Sequence, residues 1–209
     1  MHKPLNSNYL QDIRKKVARE AANLIYTGIE KEFKQAKLKA AKTHRVHFLP
    51  ANLEVAIALD EIADEREGAE RKRQLIQRRR QALRIMKILK AHSPVLIGSV
   101  WRGTAHHGSD IDITIYHNKP KEILKIIKQN DLEFIRTGWT SLTKQGNKKA
   151  SFHIHLKTAT DEVELVIRNP EEANHRRKCE IYGDLITGLQ IQELERILKE
   201  NPRQKFVPY

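Results

Sequence analysis

Asp110 and Asp112 stand one residue apart in the run Ser109-Asp-Ile-Asp-Ile-Thr-Ile-Tyr116, where acidic or polar residues alternate with isoleucine. A strand has a side-chain period of two, so both aspartates leave one face and Ile111, Ile113 and Ile115 leave the other. Later runs carry the same phase: Phe152, Ile154 and Leu156, then Val163, Leu165 and Ile167. Aligning these apolar faces on one core puts Glu162 and Glu164 on the side of the aspartates. Carboxylates gathered this way raise one another's pKa. A hard divalent cation relieves the repulsion, and Mg²⁺ takes a few carboxylates while keeping positions for water and phosphate. Two such ions, about 3.5–4 Å apart, suit an in-line displacement at phosphorus.

Upstream of the acids, Pro94-Val-Leu-Ile-Gly98-Ser99 reads as a short buried strand ending in a tight turn. Gly98 lets the backbone approach a phosphate closely. Ser99 offers a hydroxyl and opens a short helix whose first N–H groups favour anions. Arg102 follows one turn on, with two readings, phosphate contact or a brace for the loop. His106 and His107 precede Asp110 in a loop, and His153 and His155 share a strand face with the carboxylates. For all four, ordinary polar positions are the simpler reading than ligands. Trp101 and Trp139 can stack on bases, though a tryptophan in a small domain is more often core.

The rest of the chain must hold these residues in place. The spacing of Leu10, Ile13, Val17, Leu24 and Ile25 predicts one helix from Tyr9 to Lys42. A second helix is expected after a turn at Pro50–Asn52, and Gly68 marks a break. Beyond it a third helix buries Leu75, Ile76, Ala82, Leu83, Met86 and Leu89. From Pro94 the period changes to two. Pro120 starts a helix, strands follow at 132–138, 151–158 and 162–168, and an amphipathic helix stops before Pro202. The segment 143–150, Thr-Lys-Gln-Gly-Asn-Lys-Lys-Ala, reads as an exposed basic loop. The expected architecture is α+β: a basic helical region at residues 1–68 and a mixed-sheet domain at 69–209.

Charge narrows the partners. The 209 residues carry a formal net charge of +13, which draws polyanions through counterion release. On the third helix Arg71, Lys72, Arg73, Arg78, Arg79, Arg80 and Arg84 find no acid four positions away beyond the Gly68 break, which predicts a phosphate-contacting face. No apolar run has the length of a membrane span, and the N-terminus lacks a signal-peptide core. The single cysteine, Cys179, excludes an internal disulfide framework and fits a reducing, cytoplasmic setting.

Gly98-Ser99, Arg102-Gly103 and Ser109-Asp110-Ile111-Asp112-Ile113 together resemble the signature of the DNA polymerase beta-type nucleotidyltransferase superfamily. The resemblance covers most of Pro94 to Arg168. It implies Asp110 and Asp112 as metal ligands for two Mg²⁺, with Mn²⁺ as the alternative ion, and a third carboxylate that helps deprotonate the acceptor. Glu164 is preferred for that place and Glu162 remains its rival. It also implies Gly98, Ser99, Arg102 and Ser109 as nucleotide-binding residues, and an NTP, foremost ATP, as substrate. The run Gly103-Thr-Ala-His-His-Gly-Ser-Asp is similar to that of archaeal CCA-adding enzymes and RNA-terminal transferases. With the charge, this points to RNA as acceptor. The rivals are nucleotidylation of a protein, as in toxin–antitoxin pairs, an RNA-binding module on the same fold, and a basic assembly factor.

Overall fold

The structure is a computed structural model that describes residues 7–130, 132–144, 147–175 and 177–209. It divides into two compact units. One holds the residues up to Arg71 together with Cys179–Asp184, and the other holds Lys72–Lys178 with Leu185–Tyr209.

The first unit is helical. Helix α1 spans Ser7–Tyr26, α2 spans Phe33–Thr43, and α3 spans Asn52–Ile88. The single helix expected over Tyr9–Lys42 is therefore two. Glycine at position 28 takes φ 71, the left-handed conformation that ends helices, and Thr27 turns its hydroxyl onto the Asn23 carbonyl at 2.8 Å. The core of this unit is rich in alanine, with Ala18, Ala21, Ala22, Ala36, Ala40, Ala41 and Ala58 packed around Val17, Val55 and Ile62. Small side chains let helix backbones approach closely, so modest apolar area still fills the interior. Glycine at position 68 breaks α3 with φ 52 and ψ −125, as the sequence predicted.

The second unit carries a five-stranded sheet. Its strands are β1 (Val95–Ile97), β2 (Ile111–Tyr116), β3 (Glu133–Lys144), β4 (Asn147–Lys157) and β5 (Glu162–Arg168), in the order β1-β2-β5-β4-β3. Only β2 and β5 run parallel, so the sheet is mixed. Ile111, Ile113 and Ile115 are fully buried, and Val163, Leu165, Ile154 and Leu156 lie beside them on the core face. Three helices supply the other side of this core. They are α5 (Pro120–Gln129) through Ile123 and Ile127, α6 (Ile191–Glu200) through Leu194 and Ile197, and the second half of α3 through Leu75, Ala82, Met86 and Leu89. Proline at the start of α5 needs no intrahelical donor there. Gln190 and Glu193 close a capping box on α6.

The basic loop expected at 143–150 is largely strand. β3 runs to Lys144 and β4 starts at Asn147, paired residue for residue down to Lys144 opposite Asn147. Gln145 and Gly146 lie outside the described residues. A lysine-rich stretch with few apolar residues reads as loop by composition. Antiparallel pairing with a neighbour overrides that.

Candidate active site

Strand register assembles the acids. Asp112 on β2 lies opposite Ile97 on one side and Glu164 on the other, and Glu164 in turn lies opposite His155 on β4. Asp112, Glu164 and His155 thus form one row across three neighbouring strands. Of the two glutamates left open by the sequence, Glu164 stands beside Asp112. Glu162 is exposed at the strand start and lies opposite Lys157.

The row is electrostatically strained. Burial, then the charge of Glu164, then that of Asp110, push the Asp112 carboxyl up to about 7. Among the described residues no hydrogen-bond donor reaches it. Gly98 forms the floor beneath it. A Cβ at Gly98 would collide with Asp112 Oδ2, and φ there is 71, so two independent constraints demand glycine. Ser99 is half-buried, and its hydroxyl has no partner among the described residues.

Glu164 is held from the other side. His153 Nδ1 lies 2.7 Å from Glu164 Oε1, and its Nε2 lies 2.8 Å from the Ser151 hydroxyl. A carboxylate only accepts, so in the neutral ring Nδ1–H donates to Glu164 and Nε2 accepts from Ser151. The simpler reading of His153 as a solvated strand residue misses this chain. Its signal lay in the i, i+2 spacing of Ser151, His153 and His155, in phase with Glu164.

A short helix and a turn place these groups. Helix α4 (Gly98–Arg102) turns the chain out of β1, and Gly103 caps it with φ 77. Arg102 is buried. Its guanidinium lies 4.5 Å over the Trp101 ring and donates to the Phe206 carbonyl at 2.9 Å. Of its two readings, the brace is the one its contacts describe. Ser109 closes the turn ahead of Asp110, its hydroxyl accepting from the His106 N–H at 2.9 Å.

The arginine face predicted on α3 is divided. Arg71, Arg78 and Arg79 are 4%, 5% and 0% exposed, which removes them from it. Positions 78 and 79 fall in the same helical arc as Leu75, Ala82, Ile85 and Met86, so they must point inward. Arg71 binds Asp60 at 2.6 Å and Asp64 at 2.6 Å. Arg79 donates to the carbonyls of Val100, Trp101, Pro202 and Gln204 at 2.8–3.1 Å. Burial drops its pKa to about 10, still charged at neutral pH. Lys72, Arg73, Arg80 and Arg84 are exposed. Charge density alone could not separate the two sets. The apolar period of the helix could have.

Residues 79–186 match the profile of the nucleotidyltransferase domain, a stretch of more than half the chain that includes every acid in the row. The chain belongs to this family. The chain also matches a solved structure described as the structure of a GLD-2/RNP-8 complex, with 14% identity over 47% of this chain and 42% of that one, and a TM-score of 0.29. This chain thus spans less than half the length of that one. No curated protein matches it. Among its described residues no helix is long and apolar enough to cross a membrane.

Proposed function

We propose that this protein is an active nucleotidyltransferase that moves an NMP from an NTP, foremost ATP, to a hydroxyl of RNA, with release of pyrophosphate. Residues 69–209 are the catalytic domain and 1–68 a basic helical region. The observation that carries the reading is the Asp112–Glu164 pairing over Gly98. A partly buried carboxylate with a pKa near neutrality, no donor and a glutamate alongside is a group whose missing partner is a cation.

The donor set fits divalent metal: Asp110, Asp112 and Glu164 are all oxygen ligands, which suits Mg²⁺. When bound, such ions lower the pKa of an attacking hydroxyl and neutralise charge on the phosphates. The chain's own residues do the remainder. Gly98 leaves room for the triphosphate to lie against the backbone, and the free Ser99 hydroxyl donates to it. Ser109 keeps the turn that presents Asp110. His153 fixes Glu164 so that one carboxylate oxygen faces the site, and Glu164 accepts the proton of the attacking hydroxyl. Lys72, Arg73, Arg80 and Arg84 offer phosphate contacts to RNA.

The test is transfer itself. Purified protein is incubated with each α-labelled NTP, Mg²⁺ and total cellular RNA or protein extract, alongside Asp110→Asn/Asp112→Asn. Label on RNA that needs both aspartates supports the reading and names the nucleotide. Label on a protein band replaces the acceptor. No label, with salt-sensitive RNA binding intact in both proteins, leaves an RNA-binding module on this fold.

A further inference from the structure

The two strand histidines beside Glu164 are not equivalent. His153 is committed through both nitrogens, to Glu164 at 2.7 Å and to Ser151 at 2.8 Å. His155 has neither bond. Its Nε2 lies 3.6 Å from Glu164 Oε1, beyond hydrogen-bond range. No other partner reaches its ring among the described residues. The ring is nonetheless 20% exposed, and His155 lies in the same cross-strand row as Glu164 and Asp112.

That separation suits two donors to one ion. Ligands each about 2.1–2.2 Å from a metal stand about 3.0 Å apart at octahedral angles and about 3.5 Å apart at tetrahedral ones. A histidine nitrogen and a carboxylate oxygen at 3.6 Å, with no proton shared between them, need move little to ligate together. The neighbouring His153–Ser151 chain already holds Oε1 in place, so the pair is preorganised.

We propose that His155 supplies an imidazole nitrogen to the cation held by Glu164, so that one of the two metal positions prefers Mn²⁺ over Mg²⁺. Oxygen-only sites favour Mg²⁺, and an imidazole nitrogen shifts preference toward first-row transition ions. The nitrogen-bearing position lies in the row of Asp112, Glu164 and His155. The inference rests on the reading of the carboxylates as a metal site.

The experiment uses the full chain with Mn²⁺ alone, read by electron spin-echo envelope modulation and by calorimetry. Wild type is expected to show nitrogen coupled to bound Mn²⁺, with the modulation pattern changing when the protein carries ¹⁵N-histidine. The isotope swap requires no variant to fold. His155→Gln should abolish the coupling and weaken Mn²⁺ binding about tenfold, while Mg²⁺ binding changes less than about threefold. His153→Gln should retain the coupling. Bound Mn²⁺ that depends on Asp112 and Glu164 but shows no nitrogen would overturn the inference and leave the metal reading standing. Nitrogen coupling that survives His155→Gln also overturns it. Mn²⁺ binding indifferent to Asp112→Asn and Glu164→Gln overturns both.

Discussion

Arg78 donates to the Asp161 carboxylate at 2.6 Å while its remaining nitrogens take the His106 and His107 carbonyls at 2.7 and 3.1 Å. Both side chains are 6% exposed. This one guanidinium ties the loop that delivers Asp110 to helix α3 and to the turn before β5. Removing it leaves the buried Asp161 carboxylate with the Thr160 hydroxyl but without its cation, a loss of about 3–5 kcal/mol. Arg78→Ala is expected to unfold at markedly lower temperature and to lose transfer activity tenfold or more. RNA affinity should stay within about twofold, because the guanidinium is buried and held by three acceptors. Thermal melts and filter binding together check this. A variant that loses RNA affinity and keeps stability would return Arg78 to the surface face.

Asp112 makes the metal-free protein sensitive to pH. Its ordinary pKa of 3.8 rises to about 7 in the fold. Between those values the native state holds a proton that the unfolded chain has released. Stability therefore falls as pH rises from about 4 to about 7, and levels off above. Asp112→Asn should flatten that slope and raise the melting midpoint of the metal-free protein at pH 7.5 by several degrees, while abolishing transfer. A midpoint unchanged by the substitution would contradict the burial described for this carboxylate.

Gly98 and Gly28 form a matched pair. Both have φ 71, but a Cβ at Gly28 meets nothing within 4 Å, whereas one at Gly98 runs into Asp112. Alanine at either position costs about 1 kcal/mol of backbone strain. Only Gly98→Ala should also displace the carboxylate, and about a hundredfold or greater loss of transfer is expected there. Gly28→Ala should keep near-normal turnover. Measuring both variants side by side separates strain from collision.

The exposed arginines of α3 should carry a salt-dependent share of RNA binding. Arg80→Glu/Arg84→Glu is expected to lower the slope of log affinity against log salt by roughly 1.5, near 0.7–0.9 per phosphate contact. Turnover at saturating RNA should hold. A slope that does not move would locate the RNA surface elsewhere.

The sheet and its acids were legible from the sequence because a period of two leaves no freedom. Once Ile111, Ile113 and Ile115 face the core, Asp112 must face away, and the same phase on 163–167 carries Glu164 to it. Which glutamate completes the pair depended on register, and register depends on hydrogen bonding between strands far apart in sequence. The break at Gly28 was missed because the apolar spacing runs on through it, and only backbone conformation distinguishes a helix-ending glycine from a tolerated one. The arginines were misjudged for a related reason. A charged residue in a buried arc of a helix is legible as a clash between charge and period, and at positions 78 and 79 period won because backbone carbonyls and Asp161 were there to receive them.

Arg79 gives the C-terminal segment an importance that its location hides. Two of the four carbonyls that hold this cation belong to Pro202 and Gln204, and Phe206 closes over it with its ring 6.0 Å from the guanidinium. Loss of Pro202 and Gln204 would therefore act like a charge buried in the core, stripping acceptors from a cation more than 100 residues upstream. A fusion placed after Tyr209 leaves those acceptors in position. Ending the chain before Pro202 removes both, and the second unit would then be the first to fail in expression.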